Sequence, residues 1–318
     1  MSINRKNVDQ WEKDTRESVL FYNEWFINFA PKTFNDTRKE VIEKVETYFH
    51  DLNYLQSFSH NVLRENPDTL SMLRMMTCPS IAKDRLIGLG DANKSLVSRM
   101  EKEKGLSPNM PKEDVDDNLK RIVGVLNNMF DVEILPWLKD GSVPSKKAIE
   151  IASLIIADRL STAIANPLIR NAQEKRQLDK LEAFLKARGY VQIPSTASDW
   201  LEFEPGQYGF RFNVKVTKAS KMTTNIPVDI IIKPHHHTTD QFPILIEAKS
   251  AGDFTNTNKR RKEEAIKFSQ LKRTYGNSIQ FILYLCGYFG SDYLDYNAAE
   301  GIDWVWEHRT EDFLKILE

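Results

Sequence analysis

Cys78 and Cys286 are the only cysteines in 318 residues; they stand far apart, and neither has a second ligand at metal-site spacing. That excludes a disulfide scaffold and a zinc ribbon and fits a cytoplasmic protein. Long hydrophobic runs are missing as well. No stretch reaches the roughly 18 apolar residues needed to span a bilayer, and the segment from Ser2 to Trp11 has no apolar core of a signal peptide. Neither export nor membrane insertion is expected. Charge of one sign is not in excess: 44 Lys and Arg face 45 Asp and Glu, for a net charge of −1. The chain is no general polycation, so any contact with nucleic acid must come from a local basic face. Internal repeats, coiled-coil heptads and low-complexity tracts are absent too.

What is present is enough apolar content, 41%, to fill a real core. From Val8 to about Ile169 the apolar residues recur at three and four, as in Val19, Tyr22, Phe26 and Phe29, or Val41, Val45 and Phe49. The breaks fall at Ala30-Pro31, Asn66-Pro67, Cys78-Pro79, Gly105 to Pro111 and Asp140 to Pro144. After Gly189-Tyr190 the texture changes to short apolar runs typical of strands. The expected fold is α+β, with a helical region over 1–170 and a strand-bearing core with a mixed sheet over 171–318. Within the helical part, 82–104 resembles the helix-turn-helix of bacterial repressors. Gly90-Asp91 makes the turn, Asn93 caps the second helix, and Lys94, Ser95, Ser98 and Arg99 are presented to DNA. An ordinary packed helical hairpin is the alternative.

The richest stretch pairs Asp229, in Pro227 to Ile232, with Glu247-Ala248-Lys249, which ends the run Ile244 to Ile246. Side chains alternate along a strand, so Glu247 and Lys249 share a face. The polar segment from His235 to Gln241 turns the chain, and antiparallel pairing brings Asp229 beside Glu247. Two adjacent carboxylates repel, and the usual remedy is a hard divalent cation such as Mg²⁺. Lys249 is placed to orient a water or help remove its proton. The plain alternative is a cross-strand ion pair, but charges interrupting apolar strands are costly unless paired or coordinated.

The order helix (Gln173 to Arg188), strand (Phe210 to Val216), strand with Asp229, strand with Glu247 and Lys249, helix (Lys259 to Tyr275), strand (Ile279 to Cys286) resembles the PD-(D/E)xK nuclease core. The stretches Leu245 to Ala265 and Ala298 to Arg309 are similar to signatures of XamI-type type II restriction endonucleases. The resemblance is strongest over about 170–310. It implies catalytic roles for Asp229, Glu247 and Lys249, metal ligation by Asp229, Glu247 and the backbone carbonyl of Ala248, and Mg²⁺ as cofactor. It also implies double-stranded DNA cut at a short palindrome such as GTCGAC, a homodimer, and a cognate DNA methyltransferase as companion. A structure-specific repair or recombination nuclease and a non-catalytic helix-turn-helix regulator are the alternatives.

Around this site, Lys259, Arg260, Arg261 and Lys262 open a helix whose dipole they oppose, which points to phosphate or base contacts in DNA, with a solvated charged face as the alternative. Glu264 is expected to pair with Arg260 or support the metal site, and Gln270 to support it from the same helix. Three adjacent histidines, His235 to His237, cannot all face one ion, so they are read as a polar turn. Trp304 and Trp306 read as core or as a dimer contact. Asp179 and Glu182 read as surface acids.

Overall fold

Ile230 to Ile232, Ile244 to Ile246 and Phe281 to Cys286 are continuous buried apolar runs, as expected of strands covered by helices on either side. In the computed structural model, which describes residues 2–197, 199–218, 220–255 and 257–318 and leaves the side chains of Asn258, Lys259 and Arg260 outside the described residues, the strands form one six-stranded mixed sheet. The elements run α1 (Val8–Asp51), α2 (His60–Glu65), α3 (Leu70–Met75), α4 (Lys83–Gly90), α5 (Lys94–Lys102), α6 (Lys112–Met129), α7 (Trp137–Asp140) and α8 (Lys146–Lys186). Then follow β1 (Val191–Gln192), β2 (Gln207–Thr217), β3 (Thr223–Lys233), β4 (Ile244–Ala251), α9 (Thr257–Tyr275), β5 (Phe281–Gly287), α10 (Ser291–Ala299), β6 (Asp303–Trp306) and α11 (Leu314–Leu317). The contacts divide the chain into two units, Ala30–Ile169 and Met1–Phe29 with Arg170–Glu318.

Ala30–Ile169 is helical around a core that includes Phe49, Leu73, Leu119, Leu126 and Trp137. A tight turn joins α4 to α5: Asp91 is left-handed (φ 42°), and the Asn93 side chain accepts from the N–H groups of Ser95 (2.9 Å) and Leu96 (3.1 Å). A cap of this kind is worth about 1 kcal/mol. The Asn93 N–H in turn donates to Asn118 Oδ1 on α6 (2.7 Å), which fixes the turn against the third helix. Lys94 and Ser95 are exposed, Ser98 is half-buried, and Arg99 pairs with Glu103 at 2.9 Å.

In the other unit the sheet order is β1 to β6, with β2–β3 and β3–β4 antiparallel and β1–β2, β4–β5 and β5–β6 parallel. Leu178, Leu181 and Leu185 of α8 cover one face, against Ile230, Ile246 and Tyr284. Phe268 and Leu271 of α9 and Tyr293 and Leu294 of α10 cover the other, against Leu245, Leu283 and Trp304. Trp304 and Trp306 are fully buried in this second core. The N-terminal residues bind here as well: the carboxylate of Asp303 accepts from the N–H groups of Ile3 (2.7 Å), Asn4 (2.8 Å) and Arg5 (3.0 Å), and Trp11 meets Trp304 edge-on. The three histidines occupy a turn and diverge, His235 towards the Arg188 carbonyl and His236 towards that of Leu317. Asp179 and Glu182 form surface pairs with Lys175 and Lys186.

Candidate active site

Strands β3 and β4 pair only over Ile232↔Ile244, Ile231↔Leu245 and Ile230↔Ile246. Beyond that point they part, and Asp229 and Glu247 are the first residues of the two open arms. The cause of the parting lies one strand away. Phe210 and Ile230 pack in the α8-side core, yet Phe212 and Val228 pack in the α9-side core. Positions two apart normally share a face, so the ribbon turns over at Arg211 and Asp229. Arg211 has a left-handed backbone, φ 58°, which a non-glycine residue adopts at a cost. The turnover carries β3 away from β4 and opens a fork in the sheet.

The fork gathers the predicted catalytic side chains. Asp229 Oδ2 accepts from the Ala248 N–H at 2.9 Å, replacing the ladder bond that the parting strands no longer make. Lys249 Nζ donates to Glu247 Oε1 at 2.8 Å. Lys267, from α9, donates both to Glu247 Oε2 and to the Pro227 carbonyl. Glu247 is thus buried with an ammonium on each oxygen. Glu264 lies one helical turn before Lys267, is buried, and accepts from the Tyr293 hydroxyl. Its charge reaches Lys249. Lys267 was not singled out from the sequence. In the one-dimensional pattern it is one more base on a basic helix, and only the docking of Phe268 and Leu271 turns it towards Glu247.

The charges at the fork oppose one another. Burial first, and the Glu247 carboxylate second, push the Asp229 carboxyl up to about 6, against the opposing pull of Lys249, the Ala248 N–H and Lys267. Burial alone would lower Lys249, but Glu247, Glu264 and Asp229 outweigh it and hold the ammonium protonated. The carboxylates of Asp229 and Glu247 and the backbone carbonyl of Ala248 are the oxygen groups at the fork that could hold a hard divalent cation, which would offset the like charges that raise Asp229. Asp14, Glu17 and His308 also converge. Both Asp14 oxygens, however, are held by Arg309 at 2.7 and 2.8 Å, so that group is an ion-paired support.

A stability consequence follows from Asp229. Unfolded, it titrates near pH 4; folded, at about 6. The folded state binds the proton more tightly, so this group's stability contribution is complete below about pH 4 and is lost as pH rises through about 6. Metal-free Asp229→Asn protein is therefore expected to be more stable than the parent above pH 7, by up to about 3 kcal/mol, and equal to it near pH 4. Urea unfolding in EDTA at the two pH values measures this; a less stable variant at high pH would show that the ionised carboxylate is content without a metal.

The remaining predicted residues spread around the fork. Lys259 and Arg260 have side chains outside the described residues. Arg261 is half-buried, donates to the Asp292 carbonyl at 3.3 Å and stacks over Tyr296. Lys262 is exposed, and Gln270 lines a surface groove with Lys262, Ile266, Ser269, Arg273 and Tyr296, on the flank of α9.

Comparison with known proteins gives the architecture a family. The family model described as XamI restriction endonuclease matches residues 53–306. The chain is 48% identical to the type II restriction enzyme SalI of Streptomyces albus G over 311 residues, 98% of either chain. It is 21% identical to the type II restriction enzyme XamI of Xanthomonas campestris pv. amaranthicola over 193 residues, covering 61% of this chain and 62% of that one. No solved structure matches. A match over most of the length to the family model, and near-complete coverage of a relative at this identity, place the chain in the XamI restriction endonuclease family.

Proposed function

We propose that this protein is a type II restriction endonuclease that hydrolyses phosphodiester bonds in double-stranded DNA at a short palindrome, using Mg²⁺ and the PD-(D/E)xK residues Asp229, Glu247 and Lys249. The observation that carries this is the fork: a strained aspartate, a glutamate and a protonated lysine meet where two strands part, in a member of a restriction endonuclease family. Asp229, Glu247 and the Ala248 carbonyl would hold the ion. When bound, it supplies Lewis-acid polarisation of the scissile phosphate and lowers the pKa of a water. Lys249, an ammonium on the same face as Glu247, holds that water or the phosphate in place and offsets developing negative charge. Glu264 adds a negative charge that favours the Lys249 ammonium.

Base reading is assigned to residues with free, exposed ends. Lys94 and Ser95 on α5 and Lys262 on α9 qualify by exposure. Arg261, tied to Asp292 and Tyr296, fits a phosphate clamp better than a reader. A homodimer matches the two-fold symmetry of a palindrome, and a companion methyltransferase protects the host's own sites.

The test is digestion of plasmid and phage DNA with Mg²⁺, Ca²⁺ or EDTA. Discrete fragments with Mg²⁺ only, with ends that share one palindrome, are expected; GTCGAC is the first sequence to compare. Ca²⁺ is expected to support binding without cutting. A smear, or cutting confined to branched or single-stranded substrates, would replace this reading with that of a structure-specific nuclease. DNA binding with no cutting under any metal would leave a regulator.

A further inference from the structure

Glu247 carries one ammonium too many for a site that must also take a divalent ion. Lys249 holds Oε1 at 2.8 Å and Lys267 holds Oε2, so both oxygens of the carboxylate are engaged. A divalent cation and an ammonium on one carboxylate repel strongly. The ion's charge therefore favours the departure of one of the two lysines from Glu247, and they are not equivalent. Lys249 stands on the same strand as Glu247, two residues away, with Glu264 and Asp229 also attracting it. Lys267 reaches in from α9, and its second partner is the uncharged Pro227 carbonyl on the opposite arm of the fork. Where it stands it lies 5.9 Å from the centre of the Phe281 ring, and the Pro227 carbonyl remains an acceptor if the Glu247 contact is lost.

Resting on the metal-site reading above, we propose that Lys267 is a built-in counter-cation: it neutralises Glu247 and ties the two arms of the fork together in the metal-free protein, then yields its oxygen to the divalent ion. It is a positioning residue. Its cost is metal affinity, since every binding event has to break the Lys267–Glu247 pair; its benefit is an ordered fork before the ion binds.

Calorimetric titration of Ca²⁺ into the full chain, without DNA or turnover, tests this. Lys267→Met is expected to bind Ca²⁺ about tenfold more tightly than the parent, because the competing charge is gone. Lys267→Arg, which keeps the charge, is expected to stay within about threefold of the parent. In thermal melts Lys267→Met is expected to be less stable than the parent in EDTA and to gain more from Ca²⁺. Lys267→Gln, neutral but still able to donate to Pro227, serves as the second variant should the methionine chain fail to fold. Neutral variants that bind Ca²⁺ as the parent does, or more weakly, would overturn the proposal and make Lys267 a structural tie. Asp229→Ala is titrated alongside. If the parent shows no Ca²⁺ binding that Asp229→Ala abolishes, the metal site itself has failed, a pattern distinct from an unmoved Lys267 variant against a working site.

Discussion

Replacing Asp229 or Glu247 by alanine is expected to lower single-turnover cleavage of plasmid DNA by three or more orders of magnitude, on the order of 4 kcal/mol of lost transition-state stabilisation. The two substitutions reach that result by different routes. The Asp229 carboxylate accepts a hydrogen bond from the Ala248 N–H, and burial and a like neighbour oppose its charge. On the proposed reading its removal takes away an ion ligand and relieves strain, so activity is expected to fall while stability holds or rises. Glu247 instead neutralises two lysines. Its truncation leaves both ammoniums in a half-closed fork, and the cleaner variant is Glu247→Gln, which keeps the hydrogen-bonding shape and loses the charge. Urea unfolding run beside the cleavage assay separates a dead enzyme from an unfolded one. A folded Asp229→Ala or Glu247→Gln protein that still cuts with Mg²⁺ would remove the fork from the mechanism.

How much of this was legible in the sequence depends on how local each cause is. Strand alternation is local, and it puts Glu247 and Lys249 on one face and the Ala248 backbone between them. The capped turn at Asn93 is equally local and came through intact. The fork is not. It depends on Arg211, in a neighbouring strand, adopting a left-handed backbone that nothing in its side chain announces. Lys267 was invisible for a related reason, since its target lies 20 residues back on another element and only helix docking defines the direction. Most remote is the N-terminal segment, whose Asn4 side chain bonds to the Trp304 carbonyl and to Asp312, some 300 residues away. Helical periodicity there reports a buried face without reporting which surface buries it. The tryptophans, by contrast, needed the sheet's second layer to decide between core and interface, and both are core.

Lys249→Ala is expected to lose 100- to 1000-fold in turnover, about the effect of removing one pre-placed donor from a developing charge, while Ca²⁺ binds no more weakly than to the parent. The split between the two readouts carries the point. A lysine is not a metal ligand, and this one is an ammonium bonded to Glu247 and attracted by the charges of Glu264 and Asp229, so its loss leaves the oxygen groups of the fork in place and removes a competing charge. What goes is the group that orients the water or phosphate. Lys249→Arg is expected to recover little, because a planar fork of donors does not occupy the place of a compact ammonium on the same strand. If Lys249 were only the partner that keeps a buried Glu247 paired, arginine would restore function, and alanine would cost stability in EDTA without slowing the metal-loaded enzyme. Near-normal turnover of folded Lys249→Ala protein, at saturating Mg²⁺ and over a range of pH, would therefore assign the Glu247-Ala248-Lys249 spacing to structure and leave catalysis to be found elsewhere in the fork, with Lys267 the first residue to test.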